Sequence, residues 1–211
     1  MTEVIVVGAG GFGREALDVA RAMNAVGNER LDIIGVVDDQ PSDANLTRLK
    51  VQGVRHLGAI SELTNRRGTL FAIGVGNPTA RAAIAYSLET QGLRAATLVH
   101  PSALIGSGSE IGEGAIICAG AQVSTNVRIG RHAHINPNAT IGHDSTIEDF
   151  VSINPGAVVS GDVHIQSHAL IGAGAVVLQG LIVGHRSVVG ASACVVRDVV
   201  GGETVKGVPA R

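Results

Sequence analysis

A six-residue beat in the C-terminal half of this chain limits what it can fold into more than any other feature. Every sixth residue from Val99 is a β-branched aliphatic: Ile105, Ile111, Ile117, Val123, Ile129, Ile135, and onward without a break to Val189 and Val195. Four places after each stands a small or aliphatic residue, among them Ala103, Ala115, Ala121, Ala133, Ala157 and Ala193. Glycine often holds the second place, as at Gly106, Gly130, Gly142 and Gly172. So short a period held so long marks a repeat architecture, and a hexapeptide period predicts a parallel β-helix. Three hexads make one coil, and each coil adds one inter-strand spacing of about 4.8 Å. The 17 hexads from Val99 to Val195 therefore predict between five and six coils, a prism roughly 27 Å long. A sandwich of alternating strands would lose this phase within a few hexads.

The repeat claims about half of the 211 residues, so two domains are expected, with boundaries at 1–98 and 99–200 and a tail over 201–211. Hydrophobic residues make up 45% of the chain and aromatics only 2%. That balance suits a core of stacked Ile and Val and leaves few rings for stacking nucleobases. A net charge of -2 supplies no basic footprint for nucleic acid. The start, Met1-Thr2-Glu3, runs straight into an apolar stretch without a signal-like pattern, and no run is long enough to span a bilayer. A cytoplasmic protein without a membrane partner is the expectation. Cys118 and Cys194 have neither metal-ligand spacing nor a disulfide framework.

In the first 98 residues, the apolar run Val4-Ile5-Val6-Val7 reads as a buried parallel strand. Gly8-Ala9-Gly10-Gly11-Phe12-Gly13 follows at once and satisfies G-x-G-x-x-G, and Ala16, Leu17, Val19, Ala20 and Met23 continue with helical spacing. Strand, glycine turn and helix are the context in which backbone N–H groups can approach a phosphate at a helix N-terminus. A second strand over Ile33 to Val37 ends in Asp38-Asp39, where a carboxylate can meet a ribose hydroxyl. A loop over Gln40 to Asp43, a short strand at Val54 to Leu57, a short helix from Ser61, a strand at Leu70 to Ile73, a helix over Thr79 to Gln91 and a strand at Ala95 to Leu98 complete the pattern. Alternating β and α predict a small Rossmann-like α/β domain. Its size allows one mononucleotide unit. A single nucleotide, such as the UDP of a sugar nucleotide, fits that better than NAD, and a purely structural glycine turn is the remaining reading.

On the prism, residues 18 apart stack in columns. One third-place column holds Thr125, His143, Gly161 and Gln179, the next Arg131, Asp149, Ser167 and His185. The last holds Pro101, Ala119, Pro137, Pro155, Ala173 and Ala191, a smooth stripe for an extended ligand or for another subunit. His143 has a carboxylate beside it in Asp144, and Gly161 stands one coil on, where bare backbone lets a carbonyl approach. An imidazole suits a general base and an N–H suits an oxyanion donor. A solvated surface histidine fits the spacing as well, and the other seven histidines receive that reading.

The hexad array is similar to that of the left-handed β-helix acyltransferases. Together with the glycine-rich N-terminal domain it resembles the sialic acid O-acetyltransferase and bacterial sugar-nucleotide N-acetyltransferase family. The resemblance rests on Val7 to Gly13, Asp38-Asp39, Ile73 to Asn77, His100-Pro101-Ser102-Ala103, Gly142-His143-Asp144 and the closing Gly207-Val208-Pro209-Ala210. It implies transfer of an acetyl group from acetyl-CoA to an amine or hydroxyl of a nucleotide-linked amino sugar or sialic-acid-like sugar, with no metal. It casts His143 as general base, Asp144 as its support and Gly161 as oxyanion donor. It maps sugar-nucleotide contacts to Gly10, Gly11, Phe12, Asp38, Asp39 and Gly76, and acetyl-CoA contacts to Ser152, Ala173 and Ala191. It further implies a homotrimer with the acyl donor between prisms. Some members of that family carry His at the places of Phe12 and Ser152. A same-fold enzyme with another donor or a non-nucleotide acceptor, or a non-catalytic binding protein, are the competing readings.

Overall fold

A computed structural model describes residues 1–27, 30–66 and 68–211. The N-terminal domain is a four-stranded parallel sheet built from β1 (Thr2–Val7), β2 (Leu31–Val37), β3 (Leu70–Ile73) and β4 (Arg94–Ala95), in the order β2-β1-β3-β4. Val4 to Val7 are fully buried in the middle of this sheet, as a continuous apolar run predicts for a strand covered on both faces. Helix α1 (Gly11–Val26) covers one face, burying Gly13, Ala16, Leu17, Val19 and Ala20. Helices α2 (Asp43–Val51) and α3 (Pro78–Thr90) follow β2 and β3. The loop expected around Asp43 ends earlier than predicted, because the Ser42 hydroxyl accepts from the Asn45 N–H and caps α2. The Asn77 side chain caps α3 in the same way, with Pro78 in the first turn. The strand expected at Val54 to Leu57 reduces to one bridge, His56 to Val36. The strand expected at Ala95 to Leu98 divides: Arg94–Ala95 closes the first sheet, while Leu98–Val99 begins the prism.

From Leu98 the chain winds as a parallel β-helix of two-residue strands sorted into three sheets of five, six and seven strands. The five-stranded sheet contains Arg128–Ile129 and Thr146–Ile147, the six-stranded sheet Thr140–Ile141 and Val158–Val159, and the seven-stranded sheet His134–Ile135 and Ser152–Ile153. Stacked partners differ by 18 residues, as in Ile135 on Ile153 and Ile153 on Ile171. The inward Ile and Val, with the small residues four places on, form one core, and Ile135, Ile141, Ile153 and Ile171 are fully buried. Each such side chain contributes on the order of 1.5–3 kcal/mol by leaving water.

The stretch expected as a tail over 201–211 adds to this column. Val199 bridges to Val183, and Thr204–Val205 pairs with Val188–Val189, a spacing of 16 instead of 18. The last coil is two residues short, which is why the six-residue phase is lost after Val195.

The corners follow a rule of their own. The fourth place of each hexad from Gly108 to Ser192 has positive φ, filled by Gly, by Asn or Asp, and also by His132, Phe150, His168, Arg186 and Ser192. Gly142 serves a different need: a Cβ there would lie 2.4 Å from the Gly161 nitrogen of the next coil. At Gly130 and Gly172, as at Gly142, the bare backbone lets the turn of the next coil come close.

The two domains share a core. Ala16, Leu17 and Ala20 of α1 pack with Leu98, Ile116 and Cys118 of the prism. The N-terminal domain thus sits on the seven-stranded sheet and leaves the six-stranded sheet uncovered.

Candidate active site

His143 follows the strand Thr140–Ile141 at the corner between the six- and five-stranded sheets. Its Nδ1 is 2.7 Å from Asp144 Oδ2 and the ring is exposed. Asp144 adopts the left-handed conformation, φ 62, which an Asp tolerates better than most residues. Its other oxygen accepts from the Asn126 amide at 3.2 Å. The His143 contact and then the Asn126 contact hold the Asp144 carboxyl below its ordinary range. When an ionised Asp144 accepts from Nδ1–H of the neutral imidazole, the lone pair is on Nε2. The ring rests on Gly161, where a Cβ would be 2.7 Å from Cε1 and from Nε2. In the adjacent column the third-place amides of Arg131, Ser167 and His185 donate to Asp149 Oδ1, Glu148 Oε2 and Gln166 Oε1. The Gly161 N–H has no such acceptor among the described residues.

The glycine turn lies elsewhere, over the seven-stranded sheet. Gly8 has φ 104, and a Cβ on Gly13 would stand 1.8 Å from the Gly8 carbonyl oxygen. A Cβ on Gly74 would meet the Gly13 Cα at 2.3 Å. Glycine is required where these two turns cross. Gly10 and Gly11, by contrast, face open space at the start of α1. The Ala9 N–H donates to Asp38 Oδ2 at 2.8 Å, and the Gln40 N–H donates to Oδ1, so Asp38 braces the turn. Asp39 accepts from the Ile60 N–H and lines a groove of about 670 Å³ with Ile60, Ile84 and Leu88. Phe12 stacks on His134, with centroids 4.2 Å apart. Gly76 is exposed and its carbonyl points into the seam between the domains, where Arg81 donates to it.

Ser152 is in that seam too. It is 2% exposed, accepts from Arg81 Nη2 at 2.9 Å and reaches the Gly76 carbonyl at 3.3 Å. Ala173 and Ala191 are exposed at the corner between the seven- and six-stranded sheets. The structure therefore separates Ser152 from the other two residues expected to meet acetyl-CoA, because its strand position faces the N-terminal domain. A buried hydroxyl already bonded on both sides has no place for a thioester, and that role is set aside for Ser152.

Two histidines expected at the surface are buried. His134 donates from Nε2–H to the Ile73 carbonyl at 3.0 Å, and burial, then the Arg81 charge, drives its pKa well below the ordinary value. His132 is stacked against Phe71 and Phe150 and contacts Glu89 at 2.9 Å; burial lowers its pKa, and the Glu89 contact opposes that only in part. Arg81 was missed altogether. It lies on the buried stripe Pro78, Arg81, Ala85 and Leu88 of α3, so a cation at a core position of a helical pattern was the available signal. Among the described residues, no group of three or more His, Cys, Asp or Glu is placed to hold a metal. Among the described residues, no helix is long and apolar enough to cross a membrane.

Residues 3–88 match the PglD N-terminal domain, and residues 126–161 match the bacterial transferase hexapeptide family (six repeats). No curated protein matches the sequence. Among solved structures, the acetyltransferase domain of PglB from Neisseria gonorrhoeae FA1090, in complex with acetyl coenzyme A, is 28% identical with a TM-score of 0.86, covering 100% of this chain and 98% of that one. A single-site variant of perosamine N-acetyltransferase from Caulobacter crescentus, in complex with CoA and GDP-perosamine, is 26% identical with a TM-score of 0.88, covering 99% of this chain and 95% of that one. WeeI from Acinetobacter baumannii AYE is 28% identical with a TM-score of 0.85, covering 100% and 99%. The chain thus pairs a PglD-type N-terminal domain with a hexapeptide-repeat segment, and along its whole length it is similar to solved acetyltransferases.

Proposed function

We propose that this protein transfers the acetyl group of acetyl-CoA to the amine of a nucleotide-linked amino sugar, with His143 as general base. The observation that carries the reading is the His143 ring, oriented by Asp144 at 2.7 Å and resting on Gly161. Two of the similar structures, named as an acetyltransferase domain and an N-acetyltransferase, hold acetyl coenzyme A in one case and CoA with GDP-perosamine in the other.

In this mechanism His143 Nε2 removes the proton from the amine as its nitrogen bonds to the thioester carbonyl carbon. The Gly161 N–H donates to the oxygen that gains charge. Collapse breaks the carbon–sulfur bond, and the imidazolium returns its proton to the departing thiolate. Base catalysis of this kind is worth about 10²–10⁴, and holding both reactants in one groove supplies much of the rest. Gly10, Gly11, Phe12, Asp38, Asp39 and Gly76 surround the seat proposed for the nucleotide, with the groove beside Asp39 for its base.

The glycine turn, the His143 corner and the Ala173–Ala191 stripe occupy three different parts of the prism surface, so one chain does not close the site. The six-stranded sheet between the latter two presents Leu104 and Val158 outward, 62% and 37% exposed. A second copy packed on that sheet brings a stripe to a histidine corner, as in the homotrimer the resemblance implies.

The test is CoA release, read with a thiol reagent, over UDP-, GDP- and dTDP-linked amino sugars and free sialic acids. Release is expected with a nucleotide-linked amino sugar and should fall about 10²-fold or more in His143→Ala. Near-normal turnover in that variant removes His143 from the role, and release with free sugars alone removes the nucleotide.

A further inference from the structure

Arg81 is fully buried, yet among the described residues no carboxylate forms an ion pair with it. Its Nε donates to the His132 carbonyl, Nη1 to the carbonyls of Val75 and Gly76, and Nη2 to the carbonyls of Phe150 and Val151 and to the Ser152 hydroxyl. Burial pushes the guanidinium down to about 9, which leaves it charged at neutral pH. Glu89, two turns further along the same helix, is engaged by Arg131 and His132 instead.

A buried charge without a counter-ion is a costly way to hold two domains together, since an apolar side chain of the same volume commonly does so as well or better. What an apolar residue lacks is the rigid planar fork, which fixes several acceptors in one plane. Here the acceptors come from two bodies. Val75 and Gly76 belong to the turn after β3, and Gly74 in that turn packs against Gly13 of the glycine turn. His132, Phe150, Val151 and Ser152 belong to two successive coils of the prism.

We infer that Arg81 is a positioning residue for the acetyl transfer: its guanidinium fixes the Gly74 to Gly76 turn, and with it the end of the nucleotide seat, at a set place on the prism. The inference rests on the functional reading above. It assigns Arg81 no contact with substrate. A displacement of about 1 Å between seat and prism is enough to cost about 10²-fold in rate.

Steady-state kinetics of Arg81→Lys and Arg81→Met, in the full chain, test this with a nucleotide-linked amino sugar that the wild type acetylates. Lys keeps the charge and loses the fork. Both variants are expected to raise KM for the sugar nucleotide about tenfold or more and to lower kcat, while KM for acetyl-CoA, whose proposed stripe lies on another corner, stays within about twofold. A merely structural role would reduce the active fraction and the melting temperature without this split. Recovery of wild-type KM in Arg81→Lys but not in Arg81→Met overturns the inference in favour of charge alone, and unchanged constants in both overturn it outright. Should both fail to fold, Ser152→Ala removes one acceptor at little cost in volume and should show the same split, about tenfold, from the loss of one hydrogen bond to a charged group; its absence is equally decisive. A wild type that acetylates no nucleotide-linked amino sugar defeats the functional reading and this inference together, whereas wild-type turnover with unchanged variants defeats only the latter.

Discussion

The imidazole of His143 rests against the α-carbon of Gly161, so closely that a methyl group there would stand 2.7 Å from both Cε1 and Nε2. The two residues are 18 apart and meet only because one coil of the prism separates them. The catalytic proposal therefore depends on a backbone atom of one coil and a side chain of another.

Gly161→Ala tests that contact. The backbone of Gly161 is not among the left-handed positions, so the methyl strains no φ and acts on the ring alone. Turnover is expected to fall about 10²-fold with the melting temperature little changed; retained kcat would mean the ring does not work from this position.

Asp144→Asn separates orientation from charge. Asn accepts the left-handed corner, so folding should be preserved, but an amide stabilises the imidazolium poorly and permits the wrong tautomer. A loss in kcat of about 10² or more is expected by analogy with other carboxylate-oriented histidines. The same loss should not appear in Asp162→Asn, a corner residue of the next coil, which serves as the control.

Gly13→Ala and Gly11→Ala should part company. At Gly13 the added carbon meets the Gly8 carbonyl oxygen at 1.8 Å, whereas Gly11 has nothing within 4 Å. The first should destabilise by about 1–3 kcal/mol or more in denaturant melts. The second should fold normally and raise KM for the sugar nucleotide, if the open backbone at the start of α1 is where phosphate approaches. Equal stability of the two variants would contradict the packing.

Acid should loosen the seam between the domains. Burial lowers the pKa of His132 and His134 from the ordinary 6.5, so the unfolded chain takes up their protons first, and the stability they contribute is present above about pH 6.5 and declines below it. Each costs up to about 1.4 kcal/mol per pH unit between that value and its folded pKa. Glu89, held below its ordinary value by His132 and Arg131 against its own desolvation, adds a further loss only below about pH 4.5. Melting temperatures from pH 7.5 to 5.5 should fall, and His134→Gln, which does not titrate, should flatten the slope. An unchanged slope in that variant would clear His134 of the effect.

The prism was legible from the chain because its core is periodic: Ile117, Ile135, Ile153 and Ile171 recur at a separation that the stacked coils reproduce. The early loss of phase was not, since the two-residue shortening that sets Val205 on Val189 becomes visible only in the pairing. His143, Asp144 and Gly161 could be named from their places in the columns, and their contact follows from the same geometry. Arg81, His132 and His134 could not be placed so easily. His134 and Arg81 bond mainly to backbone carbonyls, which have no letter in a sequence, and His132 meets Glu89, 43 positions away in the other domain.

Local order thus came from the chain alone: β-branched residues at every sixth place, glycines where backbones cross, and a glycine turn between strand and helix. Which face of the prism the N-terminal domain would cover was decided in three dimensions, by α1 packing on Leu98 and Ile116 and by Arg81 bonding two coils at once. The physical reason is that periodicity encodes neighbours one coil apart, while the seam is formed by residues tens of positions distant, whose burial and hydrogen bonding exist only once both surfaces have met.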